Sequence, residues 1–174
     1  MSPRTTTIHT PFLRPLLLLG LLLGLAGPAR AVCTLVCSCS VTTTTLAFGS
    51  YNPLAFGNTD SSGTVRVQCG GVIGLLIPYE VTMSTGSSGS YAIRKLKFGA
   101  HTLDYNLYTD ATYTAVLGDG TTGGTQKISS SVTLDLAGLS PPQIHWVYGR
   151  LAGRQLGAAP GAYSDSLTAT LTYY

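Results

Sequence analysis

Apolar and polar residues alternate with a period of two in stretch after stretch of this chain. Val65, Val67 and Cys69 alternate with Thr64, Arg66 and Gln68; Tyr79, Val81 and Met83 with Glu80, Thr82 and Ser84; Leu96 and Phe98 with Lys95 and Lys97. Leu103, Tyr105 and Leu107 alternate with Asp104, Asn106 and Tyr108; Val132, Leu134 and Leu136 with Thr133 and Asp135; Leu167, Ala169, Leu171 and Tyr173 with Thr168, Thr170, Thr172 and Tyr174. Successive side chains of an extended strand point to opposite faces, so each set predicts a strand with one face toward a core and one toward water. No window carries an apolar period of 3.6 over three turns, so no helix is expected.

Turn signals separate these runs: Asn52-Pro53, Ser62-Gly63, Gly118-Asp119-Gly120, Gly123-Gly124, Pro141-Pro142 and Pro160-Gly161. Many short strands joined by Gly-rich turns predict an all-β sandwich or barrel. Leu171-Thr172-Tyr173-Tyr174 closes the sequence while still in strand pattern, and an apolar edge strand is an aggregation hazard unless something pairs with it. An ordinary terminal strand, paired within its own sheet, is the competing expectation.

The first residues read as an address. Arg4 and Arg14 give a basic start, residues 16–26 form an apolar run broken by Gly20 and Gly24, and Ala29-Arg30-Ala31 places small residues where a signal peptidase reads. The run is too short to cross a bilayer of about 30 Å as a helix. Residues 1–31 are therefore expected to be a secretory signal, cut between Ala31 and Val32, leaving one domain over residues 32–174. An uncleaved anchor is the alternative. Past Ala31 the basic residues Arg66, Arg94, Lys95, Lys97, Lys127, Arg150 and Arg154 balance Asp60, Glu80, Asp104, Asp110, Asp119, Asp135 and Asp165, so the net charge of +3 belongs to the leader. A neutral, charge-poor domain offers no electrostatic footprint for nucleic acid and little self-repulsion.

Cys33, Cys37, Cys39 and Cys69 all follow the leader. In an oxidising compartment an even count reads as disulfides. A metal site would need paired ligand spacings, and Cys33, Cys37 and Cys39 face one distant cysteine and no clustered histidine. Catalysis has little to stand on. His101 and His145 follow no metal spacing, no G-x-S-x-G elbow occurs, and Asp104, Asp110 and Asp119 read as acceptors at turns and strand ends. The chain is not expected to be an enzyme, nor to carry a cofactor, a metal or a small-molecule substrate.

Specific segments resemble a known family. Cys39-Ser40-Val41 leads to Leu46-Ala47-Phe48-Gly49-Ser50-Tyr51-Asn52-Pro53-Leu54, and a strand then ends in Cys69. Leu103-Asp104-Tyr105-Asn106-Leu107-Tyr108-Thr109-Asp110 is followed by Leu117-Gly118-Asp119-Gly120. Tyr148-Gly149-Arg150 precedes Gly161-Ala162-Tyr163-Ser164-Asp165 and a Thr-rich closing strand. In this order, over nearly the whole domain, the motifs resemble the spore coat protein U domain of archaic, Csu-type chaperone–usher pilins. The chain departs from the family at Leu117, where Trp is usual, and in residues 140–146, which look individual.

The resemblance implies an incomplete immunoglobulin-like sandwich that lacks its last strand. A periplasmic chaperone lends that strand, and the N-terminal extension of another pilin subunit later replaces it at an outer-membrane usher, in a form of β-strand addition. The product would be a structural or adhesive subunit of a surface pilus, exported through the periplasm and supporting attachment and biofilm formation. A free-standing secreted or coat-layer sandwich is the competing class. The resemblance also implies a Cys39–Cys69 disulfide between the first two strands, leaving Cys33 and Cys37 to pair locally. Leu46, Phe48, Leu167, Ala169, Leu171 and Tyr173 become candidates for the acceptor groove. The run Val72-Ile73-Gly74-Leu75-Leu76-Ile77 has two readings: Leu76 and Ile77 as a buried strand start, and Val72, Ile73 and Leu75 as an exposed loop of the kind by which similar tip subunits hold surfaces. A donor strand needs on the order of ten residues, and residues 32–38 are fewer and contain two cysteines, which points to a subunit at or near the tip; an unusually short donor or a cleavage site elsewhere are the alternatives.

Overall fold

The structure is a computed structural model and describes residues 37–174. The expected leader, the Ala31–Val32 cleavage point and Cys33 lie outside the described residues. Eight strands follow in order: β1 (Ser38–Thr43), β2 (Thr59–Gly70), β3 (Leu76–Met83), β4 (Arg94–Phe98), β5 (His101–Tyr108), β6 (Ile128–Thr133), β7 (Gln143–Leu151) and β8 (Ala169–Tyr173). They form two antiparallel sheets, ordered β1-β2-β7-β5-β4 and β6-β3-β8. The two apolar faces meet in one core, as alternation of this kind requires.

The inward residues are those the alternation marks. Val65, Val67 and Cys69 of β2, Tyr79, Val81 and Met83 of β3, and Leu103, Tyr105 and Leu107 of β5 are all buried. Each fully buried Val, Leu or Ile contributes roughly 1.5–3 kcal/mol of transfer free energy. Cys39 and Cys69 face each other in the β1–β2 register and form a disulfide with their Cα atoms 4.0 Å apart. Cys37 is also disulfide-bonded.

Several strands differ from the expectation. Val132, Leu134 and Leu136 do not share a face: β6 ends at Thr133, Leu134 is buried, and Leu136 is 92% exposed. The cause is Asp135, whose Oδ1 accepts the backbone N–H groups of Ala137 and Leu139 and folds the chain into a tight turn, with Gly138 at φ 70°. Leu76 is not part of a buried strand start. It is half exposed at the rim of β3, opposite Thr133, and burial begins at Ile77. Asn106, expected to face water, is buried, because the Tyr91 and Ala92 carbonyls accept its amide and the Arg94 guanidinium donates to it.

The strand β7 carries no legible alternation. Its inward row is Gln143, His145, Val147, Gly149 and Leu151, while Ile144 and Trp146 point outward and stay more than half exposed. His145 is tolerated inside because Tyr79 from the other sheet meets its Nε2 at 2.7 Å.

Candidate functional site

The open side of the sandwich lies between β1 and β8. β8 pairs with β3 along one edge and, among the described residues, has no partner along the other. β1 is the edge of the facing sheet and approaches β8. The β1–β2 ladder ends with the Thr44 N–H donating to the Thr64 carbonyl and the Thr64 N–H to Thr44 Oγ1. Beyond it, the chain swings across β7, held where Ser61 Oγ donates to the Ala47 carbonyl at 2.7 Å. Gly149 makes room for this crossing. A Cβ there would stand 2.7 Å from Leu46 Cδ2 and 3.0 Å from Phe48 Cζ.

The crossing leaves a groove. A cavity of about 280 Å³ has Leu46, Phe48, Val65, Met83, Leu107, Val147, Leu167 and Ala169 among its walls. A second, of about 760 Å³, continues past Phe48 to Tyr51, Leu103, Leu151 and Tyr163. Of the six groove candidates, Leu46, Phe48, Leu167 and Ala169 come together here. Leu171 and Tyr173 line neither cavity and sit against the core further along β8.

One polar network runs beneath the apolar lining. The Phe48 ring packs edge-on against Tyr105 with centroids 5.9 Å apart. The Tyr105 hydroxyl donates to Asp165 Oδ2 at 2.8 Å, and the Ser87 N–H donates to Oδ1 at 2.9 Å. Burial, and then the Asp165 carboxylate, push the Tyr105 hydroxyl well above its ordinary pKa. Arg94, with no exposed surface, donates to the Ser84 carbonyl, to Asn106 Oδ1 and to the Leu117 carbonyl. Burial lowers its pKa, and nearby groups including Asp165 act to raise it. Neither Arg94 nor Asp165 stood out in the sequence as a site residue. Asp165 was detectable, since it shares the parity of Leu167, Ala169, Leu171 and Tyr173.

The apolar run divides. Val72 and Ile73 are about half exposed, whereas Leu75 departs from the expected exposed loop and packs partly against the core. Its carbonyl accepts the Leu134 N–H, and the Leu134 carbonyl accepts the Gly74 N–H. This stitching sets residues 134–139 beside residues 71–75 and brings exposed Leu136 and Leu139 to the same end of the sandwich. That end is also where β1 begins, since Ser38 pairs with Gly70 and Gly70 bridges Leu139.

Other candidate carboxylates are engaged in local structure. Asp110 accepts from Thr112 and Thr114 hydroxyls and from the Thr114 and Ala115 N–H groups. Asp119 accepts from Thr121, Thr122 and Thr125. These bonds, led by the threonine hydroxyls, hold both carboxyls below the usual range. Asp104 pairs with Lys95 at 2.6 Å.

The arrangement has counterparts. One chain of the crystal structure of the CsuC-CsuE chaperone-tip adhesion subunit pre-assembly complex, from archaic chaperone-usher Csu pili of Acinetobacter baumannii, matches at 18% identity with a TM-score of 0.51. The match covers 79% of this chain and 40% of that one, so this chain spans well under half of its length and the likeness is one of fold. No curated protein sequence matches. The Spore Coat Protein U domain matches residues 27–170, most of the sequence, and the chain belongs to that family.

Proposed function

We propose that this protein is a subunit of a surface pilus built by the chaperone–usher route, in which a strand from another protein completes its sandwich. The unpaired edge of β8 beside an open, mostly apolar groove carries the reading. A chaperone strand fills the groove in the periplasm, and a pilin strand replaces it at the outer-membrane usher. On this reading residues 1–31 are the export signal and residues 32–174 the subunit. Fusing a donor strand of about ten alternating apolar residues to the C-terminus of the exported chain should raise its melting temperature sharply. Equal, cooperative melting with and without the fusion would refute the reading.

The finer assignment is a tip subunit that attaches to surfaces and supports biofilm formation. What supports it is the exposed group Val72, Ile73, Leu136 and Leu139 at the end where β1 begins. Exposed apolar patches of this kind commonly mark interaction sites. Changing Val72, Ile73 and Leu136 to Ser should abolish attachment to hydrophobic surfaces while secretion continues. Immunogold label along the whole pilus shaft would exclude the tip position.

A further inference from the structure

The groove is not uniformly apolar. Along the closing segment Tyr163, Asp165, Leu167, Ala169, Leu171 and Tyr173 are partly buried while their alternate neighbours are exposed. Asp165 is the acid in that row, and it alone of the row lines both cavities together with Phe48. It is held firmly. Tyr105, Ser87 and Ser166 donate to its two oxygens, and Gly86 at φ +66° lies so close that a Cβ there would run into the carboxylate. An ionised carboxylate has about four acceptor positions, so one more donor can be taken from the groove side.

We propose that Asp165 sets which strand the groove accepts, selecting one that carries a Ser or Thr hydroxyl at the position facing it and apolar residues at the neighbouring inward positions. The inference rests on the donor-strand reading above. A strand laid beside the closing segment presents alternate side chains, so the residue facing Asp165 belongs to the same row as those facing Leu167 and Ala169. An apolar side chain there would strip water from the carboxylate and return no hydrogen bond, leaving one of its acceptor positions empty. A hydroxyl restores that bond.

The test uses the exported full chain in complex with its periplasmic chaperone. Two decapeptides with otherwise identical apolar inward positions carry Thr or Val at the position facing Asp165, and chaperone displacement is timed. The Thr peptide should act about tenfold faster than the Val peptide, the factor a charge-assisted hydrogen bond of about 1.4 kcal/mol gives. Asp165→Asn should reduce that ratio to about twofold or less, while the Val peptide still displaces the chaperone. Should the variant fail to fold, the wild-type comparison of Thr with Val decides alone. Equal rates for Thr and Val would overturn the role of Asp165 and leave the donor-strand reading standing. No displacement by either peptide would overturn the donor-strand reading itself.

Discussion

Arg94 offers a direct measurement of what the polar network beneath the groove contributes. Its guanidinium is fully buried and bonds the Ser84 carbonyl twice, Asn106 Oδ1 at 2.6 Å and the Leu117 carbonyl at 2.7 Å. In Arg94→Met the side chain keeps similar bulk and loses every donor. Asn106 Oδ1 retains the Leu107 N–H, but the Ser84 and Leu117 carbonyls lose the guanidinium. At about 1–3 kcal/mol for each buried unsatisfied acceptor, the loss is about 2–6 kcal/mol. Against this stands the desolvation of the guanidinium, which the variant no longer bears and which can exceed the gain from a buried charge. Two carbonyls and an amide converge on one planar fork, a geometry only arginine satisfies, so the loss should win. Urea unfolding followed by far-ultraviolet circular dichroism should show a lower midpoint at unchanged slope, with Arg94→Lys between Met and wild type. A loss of that size is a sizeable fraction of a small domain's stability of about 5–15 kcal/mol. An Arg94→Met chain as stable as the wild type would mean that the buried charge is a net cost.

Two further predictions follow from the core. Replacing Cys39 or Cys69 should lower the yield of folded protein, since their bond spans a sequence separation of 30 and a loop of that size is worth roughly 3–4 kcal/mol; non-reduced peptide maps joining Cys39 to Cys33 or Cys37 would contradict the pairing. Burial lowers the pKa of His145, so the group is neutral in both folded and unfolded chains above its ordinary value of about 6.5. As pH falls through that value the unfolded chain takes up a proton that the folded chain resists, and stability declines until the folded pKa is passed. The melting temperature should fall between pH 7.5 and 5.5, and His145→Gln should flatten that slope; an unchanged slope would exclude the histidine as its source.

The strands that could be read from sequence are those with one face in the core and polar residues opposite, β2, β3 and β5 above all. Their alternation is a direct consequence of half burial. β7 escaped because both conditions fail: Ile144 and Trp146 stand outside, and His145 and Gly149 stand inside. Gly149 is inside for a reason that sequence does not carry, namely the crossing of Leu46 and Phe48 above it. Period-two counting puts Leu136 on a core face only because it passes straight through Asp135, whose side chain turns the chain back. The groove was half legible. Leu167 and Ala169 follow from parity, but the division between them and Leu171 and Tyr173 depends on how residues 45–48 run beyond the end of the β1–β2 ladder. Arg94 could not be foreseen, because its partners at residues 84, 106 and 117 come together only in the fold.

The geometry of the gap bears on why such a chain would need help to fold. The inward row of the closing segment is only partly buried, and one edge of β8 leaves its backbone groups without a strand partner among the described residues. A completing strand with about five apolar side chains, each worth roughly 1.5–3 kcal/mol on burial, would contribute on the order of 7–15 kcal/mol before the entropy of ordering it. That is comparable to the whole stability of a domain this size. A chain of this design would sit near the edge of stability until a strand arrives, with an apolar β edge open to pairing. On the proposed reading, aggregation is then avoided only if one strand is exchanged for the next without the groove standing empty. The crossing segment suits such an exchange. Leu46 and Phe48 lie on Gly149 and against the Tyr105 ring rather than in the β2 ladder, so a strand could enter beside β8 without breaking the hydrogen bonds between β1 and β2.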